Sequence, residues 1–120
     1  MKTVLVRNLT RDTVVCPRCE VADNLFTRTR GLMGRAALAE DEGMWIKRCP
    51  SIHMFNMKFA LDVIFVTQEG VVTDIALGIA PGKTFFAKNN AGKPDSAIEV
   101  AAGGAARSAT AIGDKLAFES

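Results

Sequence analysis

Two short spacings in this chain hold residues that can ligate a metal: Cys16-Pro-Arg-Cys19, and Cys49 with His53 four positions further on. Cys-x2-Cys and Cys-x3-His are the pairs from which tetrahedral zinc sites are assembled, because thiolate and imidazole are donors that zinc prefers. Pro17 would preset the tight turn between the first two cysteines. The opposing reading is three free thiols in a reduced protein, two of them near a strand kink at Pro17. A chain of 120 residues can build its own core without a metal. No cofactor is therefore expected, and zinc on Cys16, Cys19, Cys49 and His53 is kept as the alternative. A redox role for Cys-x-x-Cys is disfavoured, since the βαβ pattern that would surround it is missing.

Two carboxylates stand inside apolar runs. Asp62 interrupts Phe59-Ala-Leu-Asp-Val-Ile-Phe65, where an unpartnered charge is costly. One reading has it satisfied by backbone amides or by Arg28, Arg35 or Lys58; the other makes it a site acid with a perturbed pKa. Glu99 lies within Ala97-Ile-Glu-Val-Ala101, on the opposite side from Ile98 and Val100. That alternation suits a strand with one polar face; if the face lined a barrel interior, Glu99, Asp62 and Lys58 could converge. His53, the single histidine, reads more simply as a hydrogen-bonded structural residue than as a catalyst. Pairing it with Cys49 as base and nucleophile is disfavoured, because four residues of strand separate them by roughly 13 Å.

The elements that must position these residues are mostly strands. Residues 2–8 alternate as a strand, and 14–16 with 20–22 read as short pieces interrupted by Pro17, which donates no ladder hydrogen bond. Asp23 or Asn24 is an N-cap candidate for one helix, with Leu25, Phe26, Thr29 and Leu32/Met33 at helical spacing and Gly34 as its C′ residue. Residues 52–59 alternate, placing His53, Phe55, Met57 and Phe59 on one face and Asn56 and Lys58 on the other. Residues 61–67 and 71–77 flank Gln68-Glu-Gly70, a hairpin signal. Residues 84–87 form a short strand candidate, and Lys88 to Asp95 is the segment expected to be most mobile. Closing strands are expected over 97–101, 109–112 and 115–119, with turns at Gly103-Gly104 and Gly113-Asp114. The sum is one domain over 1–120, mainly β, with a small barrel-like or sandwich-like antiparallel sheet. A single helix in the N-terminal half would cover an edge or opening.

Charge excludes little. Fifteen Lys/Arg against thirteen Asp/Glu leave a formal charge of +2, spread along the chain, whereas nucleic-acid modules concentrate a basic face. Neither an uninterrupted signal-type apolar segment nor a run of about 20 apolar residues is present. A cytoplasmic protein without membrane or nucleic-acid partners is expected, its oligomeric state left open.

Several of these segments carry a resemblance. Arg28-Thr-Arg-Gly-Leu-Met-Gly-Arg35, Glu42-Gly-Met44 and Ser51 to Val66 resemble the bacterial and archaeal family named domain of unknown function 192. Glu99, Ala102-Gly103 and Gly113-Asp114 fall where that family has Leu-Glu, Ala-Gly and Gly-Asp. The resemblance implies a small mostly-β barrel with a helix and brings no established activity. Many members carry a signal or lipoprotein segment before the domain, and this sequence shows none. Many also have a Trp before Met-Lys, where this chain reads Asn56-Met-Lys, and a Pro where Ala60 stands.

The functional expectation is a non-catalytic binding or interaction module for a small ligand or a protein. Its mixed-charge pocket would be formed by Arg28, Arg35, His53, Asn56, Lys58, Asp62 and Glu99. The competing classes are a small hydrolase using Asp62 or Glu99, with or without a metal, and a structural or assembly module.

Overall fold

β5 (Leu61–Val66) is buried along its whole length, which an ordinary half-exposed strand is not. The computed structural model describes residues 2–54 and 56–120, with the side chains of Leu25 and Phe26 outside the description. It places β5 between β6 (Val72–Ile79) and β8 (Ser96–Ala101), antiparallel to both. The seven-stranded sheet continues through β3 (Glu42–Ile46), β2 (Thr13–Ala22) and β1 (Thr3–Asn8) to β9 (Leu116–Glu119). It curls until its outer strands approach: Val71 and Lys115 form a bridge, and Leu116 N–H donates to Gly70 O at 2.8 Å. β4 (Ser51–His53) and β7 (Thr84–Phe86) form a separate antiparallel pair. The mainly-β half-barrel therefore matches the expectation from sequence.

The curl divides the core in two. Ile64 and Val66 of β5 join Ile98, Val100, Val6 and Leu116 in a cluster drawn from both ends of the strand order, which places it inside the curl. Leu61, Val63 and Phe65 point the other way, into a cluster with Leu32, Met44 and Ile52. Period-two alternation sends each neighbour to the opposite core. Gly43 is forced by this crowding: a Cβ there would lie 2.6 Å from Glu99 O and 2.8 Å from Cys16 Sγ.

Several local readings need correction. Pro17 does not break β2; it sits where the register against β1 shifts between Val4↔Cys19 and Val6↔Cys16, and a bulge tolerates a missing N–H. β2 and β3 run parallel, with the helix α1 (Leu25–Arg30) on the crossover between them. Asn24 caps α1, its side chain accepting from Thr27 N–H at 2.9 Å. The helix stops at Gly31, whose φ of 53° is left-handed, rather than at Gly34. The strand expected over 52–59 ends at His53: Met54 N–H donates to Lys83 O, Met57 N–H turns back to Met54 O, and Asn56 has φ 59°. Phe55 lies outside the described residues. Gly104–Arg107 is a second short helix, α2, instead of part of a turn. Residues 109–112 form no strand, because Ala109 and Thr110 N–H groups bond back to Ala106 and Ala105 carbonyls. The hairpin around 68–70 forms as read.

Asp62 explains how α2 is held. One carboxylate oxygen accepts from Gly78 N–H at 2.8 Å, the other from Gly103 N–H at 3.0 Å and Ala105 N–H at 3.1 Å. The α2 N-cap, Gly103, has no side chain to supply that acceptor, so Asp62 replaces a cap from across the structure. The first reading of Asp62, satisfaction by backbone amides, is the correct one. Truncation to Asp62→Ala leaves three N–H groups without their acceptor and is expected to cost about 3 kcal/mol, with Asp62→Asn retaining part of the stability; urea unfolding of the two variants measures both.

Candidate functional site

Glu99 lies one strand from Asp62 and on the other side of the sheet. Its partners in register are Val63 on β5 and Met44 on β3, whereas Asp62 faces Val100. Directly opposed residues share a face, so Glu99 belongs to the outer core and Asp62 to the inner one. This alternation keeps Glu99 and Asp62 from converging.

The outer face beside Glu99 contains a cavity of about 70 Å³. The turn after α1 covers it, with Leu32, Ile46, Ile52 and Met57 among its apolar walls. Arg28, Cys49, His53 and Glu99 supply its polar lining. Glu99 is 5 % exposed, and its Oε1 has no hydrogen-bond partner among the described residues. Burial pushes its carboxyl up from the ordinary 4.5 to about 7, because the ionised form loses hydration without regaining a partner. Gly31 borders this space. A Cβ there would approach Glu99 Oε1 and Ile46 Cδ1 to 3.6 Å each, and the left-handed turn already favours glycine.

The other lining groups are set by their own bonds. Arg28 donates from Nε to Lys47 O at 2.9 Å and from Nη2 to Arg48 O at 3.4 Å, which fixes its guanidinium along the 47–48 loop. Cys49 donates from Sγ to Ser51 O at 2.9 Å, and burial pushes its thiol up to about 11. It is a neutral thiol at neutral pH, not an activated nucleophile. His53 stands exposed at the mouth.

Of the seven residues expected to form one pocket, this cavity gathers Arg28, His53 and Glu99. Asn56 lines an adjoining open groove with Thr29, Arg30, Met33 and Gly34. Arg35 is drawn away by Glu20, 2.5 Å from its Nη2, Lys58 is exposed, and Asp62 is enclosed by its three amides. The zinc tetrad is not assembled. Cys16 and Cys19 are buried in the inner core, Cys49 packs against the outer one, and among the described residues no three His, Cys, Asp or Glu side chains come together to hold a metal. Cys16 and Cys19 hydrogen-bond to each other, which lowers the first thiol and raises the second. Sequence reasoning missed Arg30, Gly31 and Met33 as site residues, although the Arg-Gly-Leu-Met segment had been singled out.

The family model described as DUF192, an uncharacterized ACR, matches residues 6–118. The chain belongs to this family. Within it, the Arg28–Arg35 segment forms the end of α1 and the cover of the cavity, and the Ser51–Val66 segment supplies β4 and β5. A solved protein of unknown function from Novosphingobium aromaticivorans DSM 12444 is 30% identical, with 96% of this chain and 83% of that one covered and a TM-score of 0.75. A Sinorhizobium meliloti 1021 structure described as a "putative transcription regulator" is 23% identical, covering 97% and 92% with a TM-score of 0.82; that likeness shows the fold. No curated protein matches the chain. No helix among the described residues is long and apolar enough to cross a membrane.

The Glu99 carboxyl makes stability fall with pH. Its folded pKa is raised, so the folded state holds the proton longer than the unfolded chain, and stability present below pH 4.5 is lost up to about 7. The full effect approaches about 3 kcal/mol. Glu99→Gln is expected to gain that amount relative to the parent between pH 4.5 and 8, read as the difference between their urea unfolding free energies. Parallel curves for the two proteins would refute the assignment.

Proposed function

We propose that this domain is a non-catalytic module that binds a small ligand in the cavity beside α1, with Glu99 as the buried acceptor. The observation that carries this reading is that Glu99, buried with its Oε1 unpartnered, stands in the wall of a cavity that Gly31 also borders. Buried polar atoms are ordinarily paired, and a ligand N–H or ammonium group placed there would supply what the protein does not. The low dielectric that penalises the lone carboxylate would strengthen that bond.

Catalysis is less well supported. Hydrolysis by paired carboxylates needs both on one side of a cleft, and Asp62 faces the other core. Cys49 holds its proton toward Ser51 O. A purely structural role would leave Glu99 destabilising the outer core without a compensating contact. The reading needs no metal, and three free thiols suit a reducing cytoplasm.

The test is a titration of the full chain with methylammonium chloride, followed by amide NMR shifts, with sodium acetate as the ionic-strength control. Shifts confined to residues 28–33, 46–53 and 99 are expected. They should strengthen from pH 6 to 8 as Glu99 ionises and vanish in Glu99→Gln. Shifts that scatter over surface carboxylates, or persist in the variant, would overturn the proposal.

A further inference from the structure

The cavity does not end at Glu99. A second, open space of about 440 Å³ adjoins it, and Thr29, Arg30 and Met33 line both. Across this shared wall the two spaces offer three different chemistries. In the inner space is a buried acceptor, Glu99. In the wall common to both is Arg30, an exposed residue in the last turn of α1. Beyond it is a groove with Met33 as its large apolar wall and Thr29, Gly34 and Asn56 as the rest of its lining.

A simple amine meets only the first of these. Its cation would satisfy Glu99 but would sit close to the positive charges of Arg28 and Arg30. Arg28 has directed Nε and Nη2 to the Lys47 and Arg48 carbonyls, whereas Arg30 lines both spaces and is exposed, which leaves it to receive an anion. A simple carboxylate has the reverse fault, since it brings like charge to Glu99. A zwitterion satisfies both. The inner space of about 70 Å³ admits an ammonium on one carbon and little more, so any larger substituent must leave through the groove.

We propose that the ligand is a free α-amino acid with an apolar side chain. Its ammonium would donate to Glu99, its carboxylate would pair with Arg30, and its side chain would lie along Met33. The inference rests on the binding reading above and adds the ligand class to it.

Calorimetric titration of the full chain at pH 8 tests it with four probes: L-leucine, 3-methylbutylamine, 4-methylpentanoate and glycine. Each of the last three lacks one recognised group. Loss of a charge-assisted hydrogen bond, or of the side chain's burial, is expected to weaken binding by about tenfold or more relative to leucine. Arg30→Gln should reduce leucine to the level of the amine without changing the amine, and Met33→Ser should move leucine toward glycine. If 3-methylbutylamine equals leucine, the zwitterion is overturned while the binding reading stands. If glycine equals leucine, the groove assignment is overturned. If neither leucine nor the amine binds in a Glu99-dependent way, both proposals fail.

Discussion

The molecule depends on two adjacent strands, β5 and β8, that are buried on both faces. Once no solvent face remains, every side chain along them must be matched by one of two cores, and neighbouring residues are committed to opposite ones. The inner core is closed by bringing β6 to β9 and by seating α2 over the curl. The outer core lies under only a two-stranded sheet, β4 with β7, whose Ile52 and Phe85 pack against it. It is also covered by the crossover from β2 to β3, which carries α1, and by the irregular chain leading from β4 into β5. A covering made of a three-residue strand pair, one short helix and loops packs less completely than a sheet that curls onto itself. The cavity on that side follows from the difference.

The two carboxylates show what this division does to a charge. Both interrupt apolar runs, and both are almost fully buried. Asp62 faces the side where α2, its cap and the β6 irregularity at Gly78 present N–H groups, and three of them close around it. Glu99 faces Met44, Val63 and the cavity, and Oε1 finds none. Local sequence makes the two residues look alike, and only the register between β5 and β8 separates them. One has become a joint of the fold, and the other a group with unused hydrogen-bonding capacity.

That contrast marks the limit of what was legible beforehand. The 61–79 hairpin could be read because its strands are apolar and its loop carries the turn residues. The family could be read because Arg28–Arg35 and Ser51–Val66 are distinctive as strings. The end of β4 at His53 could not, since alternation continues through Phe59 while the chain turns back on Met54. Pro17 misled in the other direction, because a proline at a bulge removes no ladder bond. The seven-residue pocket failed for a related reason. Residues such as Arg35 and Lys58 have the right chemistry, but their direction depends on a loop whose path is set by tertiary hydrogen bonds.

What the sequence could not rank is the energetic standing of Glu99. A carboxyl raised to about 7 is a net cost to the folded state at neutral pH, and total stabilities are only about 5–15 kcal/mol. A glutamine or an apolar residue would remove that charge from the outer core. The chain instead combines an acid with an unpartnered oxygen, a left-handed glycine beside it, and an arginine held away by the 47–48 carbonyls. Each feature separately has a local explanation in a turn, a strand or a rim contact. Their coincidence at one cavity does not, because folding alone would favour filling the space or neutralising the charge. A donor entering from outside resolves both, and it would do so in the medium of low dielectric where one hydrogen bond to a charge counts most.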